Sequence, residues 1–164
     1  MAVKDNIFNA STPARAKQIY STVSARIKAL DQSFYTLFLS SDVTTQKLYA
    51  LVAAMAHDTL FFEFVYEVIR EKLIIGNDEL LPSDVRIFFR NKQIQDDTVA
   101  KWQDYTLHRL GNAYHTMLYE AGLLSAPNGN QMRKIYRPIL DLTMENWLKD
   151  HDMEPIYIAL SGVR

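Results

Sequence analysis

Apolar positions along this chain recur mostly at intervals of three and four, the period of amphipathic helices, and helix caps and stops stand between the periodic stretches. Thr12 followed by Pro13 predicts the start of a first helix with a core stripe of Ala16, Tyr20, Val23, Ile27 and Leu30. A short second helix is predicted over 32–39, and a third over 43–56 behind the cap Asp42. Asp58 predicts a cap for a fourth helix over 59–75, which Gly76 ends. Phe61, Phe62, Phe64, Val65, Val68 and Ile69 make that fourth helix too apolar for a surface position, so it is expected at the centre of a bundle. Residues 77–82 read as a loop, Ser83 as the cap of a helix over 84–93, and Asp141 as the cap of a last helix over 142–150 carrying Met144, Trp147 and Leu148. The tail over 153–160 is expected to be a docked strand or a short turn. The expected fold class is all-α, a compact single domain over 1–164. Its first part, about 1–80, holds a basic first helix and the core bundle, and its second, about 83–150, is laid out like a winged helix.

The polar pattern is most unusual in a long helix predicted over 97–121. Its expected core stripe is Val99, Trp102, Leu110, Ala113 and Met117. The opposite stripe is Lys101, Tyr105, His108, Asn112, His115 and Tyr119, which is aromatic, imidazole and amide rather than the Glu and Lys of a plain solvated face. Such side chains hydrogen-bond and stack. A small hairpin is predicted next, over 123–136, around a type I′ turn at Asn128-Gly129, with Arg133, Lys134 and Arg137 on or beside its return arm. A helix followed by a basic hairpin is the layout of a winged-helix nucleic-acid reader; the plainer alternative is a surface helix and an ordinary loop.

Charge adds to this picture. The net charge of −1 conceals blocks of +4 over 1–30, −6 over 31–85, +4 over 86–140 and −3 over 141–164. Arg15 and Arg26 lie three helical turns apart on one edge of the first helix, and Lys17 and Lys28 repeat the spacing on the other. Two such rails can straddle a phosphate backbone or simply snorkel. Composition removes other classes. There is no cysteine, hence no disulfide, thiolate metal site or thiol nucleophile. The start of the chain has no apolar core of a secretory signal, no apolar run approaches the length of a membrane span, and a cytoplasmic protein is expected. No metal or cofactor motif is present; His108 and His115 stand about 10 Å apart along a helix axis, too far to share one ion. Glu63 and Glu67 share a helix face with Arg70 in reach, which reads as a salt-bridged edge more readily than as an acid–base pair. No enzymatic activity is expected.

Several phrases in order carry a family likeness: Ala14-Arg-Ala-Lys-Gln-Ile-Tyr, Ser24-Ala-Arg-Ile-Lys-Ala-Leu, Glu63-Phe-Val-Tyr-Glu-Val-Ile-Arg-Glu-Lys, Phe88-Phe-Arg-Asn-Lys and Tyr119-Glu-Ala-Gly-Leu-Leu. Over about residues 10–150 the chain resembles the BrxA family of the bacteriophage-exclusion (BREX) defence systems. The resemblance implies an all-helical fold similar to the antitermination protein NusB. It also implies a small non-enzymatic component that binds double-stranded DNA and is encoded beside a methyltransferase and large ATPases, with other BREX proteins as partners. The inner-membrane label given to some family members is not carried over, and the tail after Asp150 is short beside longer relatives. No family motif fixes DNA contacts. The candidate nucleic-acid contacts therefore come from the helix faces: Arg15, Lys17, Arg26, Lys101, Tyr105, His108, Arg109, Asn112, Arg133, Lys134 and Arg137. An adaptor that docks a protein and an RNA-binding helical module remain the alternatives.

Overall fold

The computed structural model describes residues 2–163. Met1, part of the start read for a secretory signal, lies outside the described residues. The element order is α1 (Pro13–Lys28), α2 (Phe34–Ser40), α3 (Val43–His57), α4 (Thr59–Phe64), a π turn (Val65–Ile69), α5 (Arg70–Ile75), β1 (Glu79–Leu80), α6 (Pro82–Gln95), a 3-10 turn (Val99–Lys101), α7 (Asp104–Glu120), β2 (Arg133–Lys134), α8 (Leu142–Asp150) and α9 (Glu154–Ser161). The chain is all-α with one small antiparallel sheet.

Side-chain caps set most of the helix starts. Thr12, Asp42, Asp58 and Asp141 each accept a backbone N–H three residues on, at 3.2, 2.9, 3.0 and 2.7 Å. Helix α6 begins one residue before the expected cap, with Pro82 in its first turn and the Asp84 carboxylate accepting the Leu81 N–H at 2.7 Å. Helices α4 and α5 run on through the π turn as one rod, and Gly76 ends it at φ 72°. Phe61, Phe64, Val65 and Ile69 of that rod are fully buried, and Phe62 and Val68 are half-buried on its flanks; α5 buries none, and α3, with Leu48, Tyr49 and 51–55 buried, shares the middle of the bundle. The core extends from Leu30 to Leu160 and includes Tyr49, Phe88, Tyr114, Met144 and Trp147.

Four expectations are corrected. The tail is a helix, α9, whose Ile156, Ala159 and Leu160 are buried. It ends at Gly162, where φ is 65° and a Cβ would stand 2.8 Å from Leu73 Cβ, so only glycine lets α9 close on α5. In α1, Ala16 is the one buried residue, and Tyr20 and Val23 of the expected core stripe are exposed. The long helix is interrupted at Trp102 and Gln103, whose ψ values of 138° and 155° are extended. The buried stripe of α7 is consequently Leu107, Gly111, Tyr114 and Leu118, while Ala113 of the expected stripe is exposed. Gly111 lets α7 approach α6, since a Cβ there would meet Val85 at 3.0 Å. Last, positive φ falls on Gln131 and not on Asn128 or Gly129, so the turn is not type I′.

The small hairpin near 123–136 is present. A bridge joins Leu124 to Ile135, and Ser125 and Asn128 donate to the carbonyls of Lys134 and Met132. The Asn128 side chain accepts from the N–H groups of Asn130 and Met132. The return arm also pairs outward, Leu80 with Arg133 and Glu79 with Lys134, which fastens the hairpin to the segment ahead of α6. No single helix among the described residues is long and apolar enough to cross a membrane.

Candidate nucleic-acid interface

The outer side of α7 is the most chemically distinctive surface. Tyr105, His108, Arg109 and Asn112 are exposed, the Arg109 guanidinium lies 5.7 Å from the Tyr105 ring centre, and the Asn112 amide is 3.3 Å from His108 Nδ1. At 3.6 residues per turn, the stripe of Tyr105, His108, Asn112, His115 and Tyr119 lies about 110° round from the buried stripe. It therefore flanks the core instead of opposing it, and Arg109 and Thr116 take the back of the helix.

His115 sits on the inner edge of that stripe. Its Nε2 is buried with no hydrogen-bond partner, and burial, helped by the nearby Arg133 charge, pushes its pKa down to about 4. The ring is neutral at pH 7. Arg133, on the hairpin, is near enough to His115 for its charge to be felt there. Arg133 is not a free cation, since its Nη1 donates to the Ser125 carbonyl at 3.1 Å.

The other candidates divide. Lys101 is exposed on the 3-10 turn just ahead of α7. Lys134 pairs with Asp78 at 3.3 Å across the sheet, both side chains being open to solvent. Arg137 is structural: its guanidinium donates to the Ser161 and Leu73 carbonyls, both at 3.0 Å, and so ties α9 to α5. Arg15 and Lys17 are exposed at the start of α1, Arg15 donating to Gln18. Arg15 is about 16 Å along the helix axis from Arg26. Arg26 turns inward, with Nη2 3.2 Å from Met117 Sδ of α7. The structure thus gathers Tyr105, His108, Arg109 and Asn112 on the outer side of one helix, while Arg133 is near His115, about one to three turns farther along α7.

The paired carboxylates of the central rod have another partner than expected. Lys92 of α6 reaches between Glu63 Oε2 at 2.8 Å and Glu67 Oε1 at 2.6 Å, whereas Arg70 pairs with Glu71 and lies over the Tyr66 ring. Burial alone would lower the Lys92 pKa; the hydrogen bonds to Glu63 and Glu67 outweigh it and hold the ammonium above its ordinary value. Sequence offered no signal for this triad, because Lys92 stands 25 residues from Glu67 and farther still from Glu63. Among the described residues no three or more acidic or imidazole side chains converge as a metal site would require.

The BrxA family model matches residues 1–152. The chain belongs to the BrxA family. The BREX protein BrxA of Bacillus cereus (strain H3081.97) is 42% identical over 141 residues, which is 86% of this chain and 70% of that protein. The BREX protein BrxA of Escherichia coli O9:H4 (strain HS) is 29% identical over 82% of this chain and 63% of its own length. This BrxA-family chain thus spans 63% and 70% of the lengths of these two relatives. A crystal structure of an uncharacterized protein from Magnetospirillum magneticum superimposes with a TM-score of 0.72 at 15% identity, over 85% of this chain and 72% of that one. That likeness shows a shared fold.

Proposed function

We propose that this BREX-family component works without catalysis, by binding double-stranded DNA in the cytoplasm through the outer side of α7 and the hairpin cation farther along it. The observation that carries the reading is the group Tyr105, His108, Arg109 and Asn112, exposed together on the outer side of α7. Tyrosine, imidazole and amide groups hydrogen-bond to sugar and phosphate oxygens, and cations displace the counterions of the backbone. Such contacts position a protein on duplex without fixing sequence, so a weak sequence preference is expected. Other BREX proteins are the proposed protein partners, in keeping with the relatives' names.

The test is duplex binding titrated with salt. Affinity should fall steeply as salt rises from about 50 mM to about 200 mM. The variant Lys101→Glu with Arg109→Glu should abolish binding and keep the melting profile, since neither residue holds another element in place. Charge reversal at Arg133 and Lys134 is less clean, because Lys134 faces Asp78 and Arg133 holds a carbonyl. No duplex binding at about 50 mM salt ends the reading. Stronger competition by structured RNA than by duplex at equal salt replaces DNA with RNA.

A further inference from the structure

A second surface lies where the end of α1, the middle of α3, the end of α7 and the hairpin meet. They enclose a groove of about 850 Å³. Its floor is alkyl, formed by Ala50, Leu51 and Ala54 of α3 with Met117 of α7, and Ala121 and Leu124 just beyond that helix. Arg26 and Lys47 stand on its walls, Tyr119 and Tyr136 on its rim, and Glu120 is the one acidic residue among the lining side chains.

Arg26 makes this groove unlike an ordinary surface hollow. The guanidinium is half-buried, carries five N–H donors, and has a thioether, a weak acceptor, as its partner. Lys47 likewise meets no carboxylate at ion-pair distance among the described residues, and Glu120 meets no cation; both are exposed. The other N–H groups of Arg26 are open to water in the groove, where a carboxylate entering from outside makes a stronger, charge-assisted hydrogen bond. Leu51, Ala54, Ala121 and Leu124 are already buried, so the alkyl surface left for an apolar group to cover is that of the exposed Ala50 and the half-buried Met117. A duplex backbone supplies anions but nothing apolar of a size to fill this floor. A polypeptide segment that alternates leucine-like and acidic side chains supplies both.

We infer that this groove is a docking site for an acidic amphipathic segment of a partner protein, its apolar face on Ala50 and Met117 of the floor and its carboxylates on Arg26 and Lys47. This goes beyond DNA binding and does not rest on it. Helix-in-groove recognition of this kind reads apolar anchors at intervals of three and four.

The probe is a short fluorescein-labelled synthetic peptide with leucines at helical spacing and glutamates flanking them, followed by anisotropy with the whole chain. It should bind, and a peptide with lysines in place of the glutamates should not. Arg26→Met keeps the contact with Met117 and removes the charge; it should weaken peptide binding roughly tenfold, as loss of a charged hydrogen bond does. Ala50→Glu, at an exposed position, should abolish binding and leave the melting temperature unchanged. Duplex DNA affinity should survive both changes. The inference is overturned if the glutamate peptide fails to bind at about 1 mM protein, where even weak complexes form. It is also overturned if the lysine peptide binds equally well, or if Arg26→Met leaves peptide binding intact. Loss of DNA binding in Arg26→Met, with the peptide inert, would assign the groove to a phosphate instead. Failure of Lys101→Glu with Arg109→Glu to affect DNA touches only the other reading.

Discussion

Lys92 and Arg26 are both cations drawn into the body of the protein, and their surroundings are opposite. Lys92 projects from α6 onto the central rod, where Glu63 and Glu67 close on it from either side at 2.8 and 2.6 Å. Arg26 projects from α1 into a groove, where a thioether is its one hydrogen-bond partner among the described residues. A buried charge with two carboxylates is internally complete, and its work is to hold two elements in register. A half-buried charge with no carboxylate keeps its free N–H groups on water, and they are available to a molecule outside the chain. The supports differ in the same sense. The rod under Lys92 sets Phe61, Phe64, Val65 and Ile69 in the core, whereas α1 buries only Ala16.

The comparison depends first on the rod. Phe64→Ala removes a fully buried ring that packs edge-on against Phe88 at 5.2 Å and against Tyr114 at 5.6 Å. The expected loss is about 3–5 kcal/mol by chemical denaturation. Val68→Ala, on the half-buried flank, should cost about 1 kcal/mol. Equal, small losses at both positions would mean that the rod is peripheral and that Lys92 is not anchored in a core.

The Lys92 side of the comparison breaks next. Glu63→Gln with Glu67→Gln leaves a buried ammonium facing two neutral amides. Because the two carboxylates are themselves 36% and 45% exposed, the expected loss is discounted to about 2 kcal/mol. Lys92→Met should cost less, under about 1 kcal/mol, since both glutamates can turn to water. A loss of defence function in the double variant at unchanged stability would contradict the structural role and revive an acid–base role for the pair.

His115 is an intermediate case, a buried nitrogen with no partner that can shed its charge. Its pKa falls from 6.5 to about 4, so the neutral ring is favoured in the fold. Stability from this residue is present above the unfolded value of about 6.5 and is lost as pH drops toward 4. Allowing for the partly exposed ring, the loss is about 1–2 kcal/mol. Denaturation at pH 7 and pH 4.5 should show a smaller drop in His115→Gln than in the parent chain. Identical drops would mean that the ring is solvated.

Much of this contrast could not be read along the chain, and the reason is distance. Caps act over three residues, so Thr12, Asp42, Asp58 and Asp141 were legible, and with them four helix starts. The apolar run from Phe61 to Ile69 announced the rod. The break at Trp102 and Gln103 was not legible, because Val99 and Trp102 keep a helical period across it; that one miss rotated the expected core stripe of α7. Lys92 with Glu63 and Glu67, Arg137 with Leu73 and Ser161, and Arg26 with Met117 join positions 24 to 91 residues apart, and no periodicity reaches so far. The outer stripe of α7 was found from its composition. The groove beside it was not, because its walls come from four separate elements.

The smallest effect on stability belongs to the exposed cations, and it separates the two outward-facing surfaces. Arg109→Ala removes a solvated side chain whose one contact is the Tyr105 ring at 5.7 Å, so stability should change by less than about 0.5 kcal/mol. Its consequence should appear in the salt dependence of duplex binding. Each phosphate contact removed lowers the slope of log affinity against log salt by about one unit, on every sequence alike. Arg26→Met should leave that slope where it was, because its guanidinium faces the groove and not the back of α7. If both variants lower the slope by the same amount, the groove and the α7 face are one phosphate-binding surface. Arg26 would then differ from Lys92 only in waiting for a phosphate instead of a carboxylate.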